Sequence, residues 1–371
     1  MNLIVSMGLF LASCTPRIAE IEPSNEYSKK FLPLRPDTLN GLVEINTWEL
    51  MSEGDDINII RYNSSLNRIT AVSDLGNEVV MLSIEREESI FHKMEDIPDL
   101  QVLGIDENGN TLLVGMPGFT RNEVGKPRNY FHWIASWDPT SDSLIRCYSG
   151  SCAIELTDPD HIGSADIGAV WDSTIVILYN EYSYRYSWLS PTNGGGISLV
   201  NSPDSDYWWH IGMIAIDSAQ DKLAIIFQEA RIVITNIEEK NRFPLVGFRV
   251  LEHGDEDQLQ PISNAIFSRS GKWLSVLRGN SISVWNVGGW RGKKIFSDQT
   301  MHVRGVEFNP QGDLLFIMID DHTEILALDE KEVIAVIQTP GITSIDISDD
   351  NRLLFWGDRS GAVHMLGIPS Q

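Results

Sequence analysis

An apolar residue that closes a short β-rich run, followed at once by a polar turn, recurs seven times along this chain. It stands at Tyr62, Ile105, Val170, Ile216, Phe267, Phe308 and Ile347. The steps between these anchors are 43, 65, 46, 51, 41 and 39 residues. In six units an aliphatic residue returns seven positions later, at Ile69, Leu112, Leu223, Leu274, Leu315 and Leu354. The unit at Val170 departs from this spacing, with a turn through Trp171, Asp172 and Ser173 that reads as shorter. A β-rich period of roughly forty residues marks sheets repeated radially. One such sheet cannot bury both of its faces, so neighbours must stack and the ring must close.

Local composition supports strands. Runs such as Val79-Val80-Met81-Leu82, Ile232-Val233-Ile234 and Ile282-Ser283-Val284-Trp285 are rich in β-branched and aromatic residues. Gly, Asn, Asp and Ser bound them, and Asn108-Gly109, Ser270-Gly271 and Gln311-Gly312 supply residues that tolerate positive φ at a turn. No window of useful length shows the 3.6-residue period that a helical solenoid needs.

These units resemble a seven-bladed, divergent WD40-type β-propeller of bacterial style. Trp137-Asp138 and Trp285-Asn286 stand where that family places its Trp-Asp pair, at the end of a third strand. The stretches beginning at Ser268, Asn309 and Asp358, ending in Gly271, Gly312 and Gly361, match its turns; Asp74 and Asp358 resemble the acidic residue before the third strand. The likeness covers residues 42–368 and is strongest over the last three units. The Gly-His pair that opens a WD40 unit is missing. The resemblance implies an all-β propeller of seven four-stranded blades. The strand at residues 42–50 completes the last blade, which otherwise ends with its third strand at residues 362–368 and leaves an open edge.

Residues 3–12 are apolar and too short to span a bilayer. They lead into Leu11-Ala12-Ser13-Cys14, which resembles the bacterial lipobox. That likeness implies a signal peptide over residues 1–13, acylation of Cys14, a membrane tether over 14–40, and a propeller domain over 41–371 in the extracytoplasmic envelope. Met1-Asn2 lacks the basic start of a signal peptide.

A formal charge of −24 over 371 residues repels nucleic acid and anionic lipid headgroups, so both are excluded as partners of basic patches. Of three cysteines, Cys147 and Cys152 remain after Cys14. In an oxidising compartment they read as a disulfide across a turn, its small loop contributing at most about 2–3 kcal/mol. A redox pair would instead want Cys-x-x-Cys at a helix start.

The sequence offers no catalytic constellation, metal set or cofactor motif. The eight histidines share no ligand spacing, there is no His-Glu-x-x-His, and the best local cluster, Asp158, Asp160, His161 and Asp166, reads as a solvated loop. Gly194 to Gly196 reads as a flexible link rather than a phosphate cradle.

The irregular units carry the functional expectation. Residues 116–129 and 180–186 read as long loops between second and third strands. Residues 151–164 and 202–210 read as long links on the same face. They bring Phe119, Arg121, Tyr182, Tyr184, Arg185, Tyr186, Tyr207 and Trp208, residue types that dominate interface energetics. The competing reading is packing, since alternate tyrosines line one face of a strand. Trp273 and Trp356 read as core. The expected function is a binding or scaffolding module for a protein or peptide, not an enzyme, with oligomeric state open. The alternatives are a glycan-binding lipoprotein, or a hydrolase or lyase with paired carboxylates at the mouth of the central channel.

Overall fold

Each anchor pairs across its hairpin with the residue seven positions on. The pairs are Tyr62 with Ile69, Ile105 with Leu112, Val170 with Ile177, Ile216 with Leu223, Phe267 with Leu274, Phe308 with Leu315 and Ile347 with Leu354. The unit at Val170 therefore keeps the spacing after all. Trp171 belongs to the strand, paired with Val176, and not to the turn.

The computed structural model describes residues 27–51, 55–73, 78–86, 88–93, 101–105, 112–121, 127–138, 143–149, 167–171, 176–180, 185–189, 195–198, 211–217, 222–227, 232–236, 249–250, 262–287, 293–298 and 302–370. Strands β1 (Phe31–Leu32) and β2 (Val43–Glu49) come first. The first sheet is β3 (Ile57–Asn63), β4 (Arg68–Ser73), β5 (Glu78–Ser83) and β6 (Glu88–Lys93). The second is β7 (Gln101–Ile105), β8 (Leu112–Arg121), β9 (Pro127–Asp138) and β10 (Ser143–Ser149). The third is β11 (Ile167–Trp171), β12 (Val176–Asn180), β13 (Arg185–Leu189) and β14 (Gly195–Ser198). The fourth is β15 (Ile211–Asp217), β16 (Lys222–Phe227), β17 (Ile232–Asn236) and β18 (Arg249–Val250). The fifth is β19 (Ile262–Phe267), β20 (Trp273–Arg278), β21 (Ser281–Asn286) and β22 (Lys293–Asp298). The sixth is β23 (Val303–Phe308), β24 (Leu314–Ile319), β25 (His322–Ala327) and β26 (Glu332–Gln338). The seventh holds β27 (Ile342–Ile347), β28 (Leu353–Asp358) and β29 (Ala362–Pro369), with β2 and β1 on the free edge of β29. Every pairing is antiparallel.

The sheets form a closed β-propeller. Each first strand lies beside the first strand of the next sheet, from β3 through β7, β11, β15, β19 and β23 to β27, and β27 lies beside β3. Alternation sends each strand's side chains to two different interfaces. Leu274 and Val276 of β20 pack with Ala224 and Ile226 of the fourth sheet, while Trp273 and Leu277 pack with Phe308 and Leu315 of the sixth. Trp356 is buried between the sixth and seventh sheets. Both tryptophans are core, as their place in second strands suggests.

The turn after the anchor has its own chemistry. The polar residue that follows is buried and closes the turn with its side chain. Asn309 Oδ1 accepts the amides of Asp313 and Leu314 at 3.1 and 2.9 Å, and Ser348 Oγ accepts those of Arg352 and Leu353 at 3.1 and 2.9 Å. Ser268 Oγ accepts the Trp273 amide at 3.1 Å, and Asn63 Oδ1 that of Leu66 at 2.9 Å. A residue with positive φ completes these turns, at Asn67, Gly271, Gly312 and Asn351.

The last sheet is sewn from both ends of the described chain. In β2, Val43 to Glu49 pair with Gly367 to Ala362, and in β1, Phe31 and Leu32 pair with Pro369 and Ile368. The strand expected at residues 42–50 is thus in place. Residues 27–40, expected to belong to a tether, are instead part of the folded body. From Tyr27 onward the chain packs on the ring, burying Phe31, Leu34 and Leu39. Asn351 Nδ2 donates to Leu34 O, and the Leu34 amide to Asn351 O, both at 2.6 Å.

Two further expectations change. Residues 116–129 are not an open loop: β8 and β9 stay paired out to Arg121 and Pro127, a hairpin arm longer than its counterparts. The glycines at 195 and 196 lie in β14, the fourth strand of its sheet, rather than in a flexible link.

Candidate functional site in the central channel

Three first strands place a charged residue directly before the anchor: Arg61 on β3, Glu307 on β23 and Asp346 on β27. Arg61 Nη1 lies 3.3 Å from Asp346 Oδ1 and 4.0 Å from Glu307 Oε2. The first and sixth sheets are not neighbours, so Arg61 reaches Glu307 across the seventh, which is possible only inside the ring. The side chains keep 31%, 27% and 13% of their surface for Arg61, Glu307 and Asp346, so water reaches them in a confined space.

Confinement governs the acidity of both carboxyls. Burial is the largest influence on Glu307; Arg61 and the Phe308 amide oppose it, the neighbouring Asp346 adds to it, and the group is raised to about 7. Burial likewise raises Asp346 to about 6, against Arg61 and the amides of Tyr62 and Ile347, with Asp349 adding to the rise. Tyr62 donates its amide to Asp346 Oδ2 at 2.6 Å. A carboxyl near neutrality within reach of water can hold or release a proton under ordinary conditions.

Toward the face of the first hairpin turns, Arg269 Nη1 meets Asp349 Oδ1 at 2.7 Å. This pair too spans non-adjacent sheets, the fifth and seventh, and Ser64 Oγ donates to Asp349 Oδ2 at 3.3 Å. In the fourth and fifth units the position before the anchor is apolar, buried Ala215 and half-buried Ile266. The charge therefore sits on one arc of the channel. Among the described residues, no three His, Cys, Asp or Glu side chains gather as a metal ion would need.

The sequence held a signal for this cluster: three of seven equivalent positions are charged, two with one sign and one with the other. It was hidden because the three residues are far apart along the chain and each unit read alone shows one ordinary strand charge.

A second polar cluster lies on the outer part of the seventh sheet. His364 on β29 lies with Nε2 3.1 Å from Asp358 Oδ2 and Nδ1 3.0 Å from Thr47 Oγ1 of β2. Its ring stacks on Trp356 with centroids 3.8 Å apart. Burial works against the charge of Asp358, but hydrogen bonds from Ser360, His364 and the Ala362 and Ser360 amides outweigh it and hold the carboxyl below its ordinary value. Asp358 thus anchors the turn before a third strand, and His364 carries that anchor across to the N-terminal strand.

The residues expected to matter are distributed as follows. Trp137-Asp138 ends β9 and Trp285-Asn286 ends β21, both third strands, with both indoles buried. Phe119 and Arg121 lie on β8, Arg185 and Tyr186 on β13, and Cys147 on β10, strands of which the backbone is described. Tyr186 pairs with Tyr179 and Ile197 and is therefore within a sheet rather than on a loop. Cys14, Asp74, Cys152, Tyr182, Tyr184, Tyr207 and Trp208 lie outside the described residues.

No protein-family model matches the chain, and no curated protein matches it. Among solved structures it is similar to the β-propeller domain of Cps50 (Swd1) of Myceliophteria thermophila, with a TM-score of 0.62 and 13% identity over 88% of this chain and 99% of that one. At that identity the likeness concerns the fold: the chain is a β-propeller.

Proposed function

We propose that the chain is a divergent, seven-bladed WD40-type lipoprotein, tethered at Cys14 outside the cytoplasm, that binds or scaffolds a protein or peptide. The observation that carries the binding role is the β8–β9 arm, which stays paired to Arg121 and Pro127 over ten residue pairs, where the second and third strands of the other sheets pair over four to six. A paired backbone costs less to order on binding than a loop does. Tyr182, Tyr184, Tyr207 and Trp208, which lie outside the described residues, are the further candidates that the sequence offers.

Crosslinking and affinity purification from membranes test this. The wild-type chain captures one stoichiometric partner. The Tyr184→Ala/Trp208→Ala variant, checked as folded by circular dichroism, loses it. Unfolding of that variant would sink the surface reading. Cys14→Ala should release the protein from the membrane.

A second reading has its own support. Glu307 and Asp346 are paired carboxylates in the channel, the arrangement a hydrolase or lyase would use, with Glu307 raised toward neutrality as a proton donor needs to be. Arg61 between them favours a structural tie over free acid–base groups. A glycan partner is the third possibility, and a glycan array separates it from a protein partner.

A further inference from the structure

Arg61, Glu307 and Asp346 stand where the ring closes. The β27–β3 contact is the seam between the last and first sheets, and Arg61 crosses it to reach Asp346. The Tyr62 amide crosses it to the same carboxylate, and Ser344 Oγ and Thr343 Oγ1 donate across it to Ile57 O. One guanidinium serves two carboxylates there. With both ionised the cluster carries a net negative charge in a confined space, and Arg61 is drawn partly toward the sixth sheet. With one proton taken up, charge balances and Arg61 serves Asp346 alone.

We propose that Arg61, Glu307 and Asp346 form a proton-operated latch on the inner seam of the propeller, closed more tightly in mildly acidic than in alkaline solution. The proton sits on Glu307, which lies 4.0 Å from the guanidinium, whereas Asp346 lies at 3.3 Å and also accepts the Tyr62 amide. Raised acidities of both carboxyls fit this geometry. Other groups facing the cluster do not replace Arg61. Asp349 faces it from the turn after β27 but is paired with Arg269, and Arg304, at the far end of β23, is paired with Asp320 at 2.5 Å. The neighbouring strands β7, β19 and β24 bear no ionisable side chain. Arg68 lies at the start of β4 and Asp358, tied to His364, at the end of β28.

The sign follows from linkage. Both folded values lie above those of the unfolded chain, so the folded state binds more protons across the interval between them. The contribution to stability is fully present below the unfolded values and is lost as pH rises through about 6 and then about 7.

Hydrogen exchange on the full chain, corrected for intrinsic exchange, tests the latch. From pH 6.5, where Glu307 holds the proton and Asp346 is ionised, to pH 8.5, amides of β3 and β27 should become roughly tenfold more open than those of β24, the equivalent of one unit in a proton affinity. The isosteric Glu307→Gln should abolish that difference and hold the seam at its acidic tightness. Two results would overturn the proposal: wild-type seam amides indifferent to pH, or the full pH response surviving in Glu307→Gln. The wild-type measurement decides alone if the variant fails to fold.

Discussion

His364 Nδ1 lies 3.0 Å from Thr47 Oγ1, joining a residue of the last strand to one in the strand that closes the ring. The imidazole is held from both sides, by Asp358 and by Thr47, and from above by the Trp356 ring. Replacing it by Ala removes these contacts together. His364→Ala should cost on the order of 2–3 kcal/mol, read as a lower urea midpoint at unchanged slope. Thr47→Val, which removes the hydroxyl's bonds to His364 and to Glu44 at an exposed position, should cost about 1 kcal/mol or less.

Deleting residues 27–50 should do more than trim the protein. It removes β2 and β1 and bares the edge of β29 along with Met365 and Val363 of the core. Circular dichroism and size exclusion should report loss of cooperative folding or aggregation, as an open edge predicts.

Gly357 packs its backbone against the neighbouring sheet. A Cβ there would lie 2.7 Å from Ile57 Cγ2 and 2.8 Å from its Cβ. Gly357→Ala should therefore destabilise by about 1–3 kcal/mol, as overpacking does. Ile57→Ala in the same chain should cost less than the sum of the two single changes, and a double-mutant cycle measures that coupling.

The buried turn residues should prove costly to remove. Asn309→Ala leaves the amides of Asp313 and Leu314 without their side-chain acceptor. A loss of about 1–3 kcal/mol in thermal or urea unfolding is expected. An Asn309→Ser variant, which restores an acceptor of the kind Ser348 provides, should recover part of it.

Asp358 sets an acid limb opposite in sign to the channel latch. Its folded value lies below the unfolded one, so its contribution is present above the unfolded value of 3.8 and is lost as pH falls through the folded one. Stability against pH should thus fall on both sides of a mildly acidic optimum. Asp358→Asn should flatten the acid limb and leave the neutral one, the converse of Glu307→Gln.

The fold was readable because propellers repeat their registers. Tyr62, Phe267, Phe308 and Ile347 could be aligned, and each pairs as counting implies. Val170 misled because Trp171 stands where every other anchor is followed by a polar turn residue, and so reads with Asp172 and Ser173 as part of the turn. The arm at residues 116–129 misled because Pro117 and Gly118 look like breakers, whereas a register shift between Met116 and Pro117 absorbs them and pairing resumes. Phe31, Leu34 and Leu39 follow neither a strand nor a helix period, so their burial depends on grooves that other units supply. The Arg61 cluster is a property of closure, and no window of sequence contains it.

The edge that β2 covers sets an order of events. Residues 43–49 leave the ribosome before any of the seven sheets, yet their partner strand, Ala362–Pro369, is made after the other six sheets. Strand β2 thus waits while the six sheets between are made, and those sheets can only assemble as an open arc. Closure is one late, long-range step that completes the last sheet and brings Arg61 to Asp346 at once, so a chain halted short of its last strand has no ring to be part of.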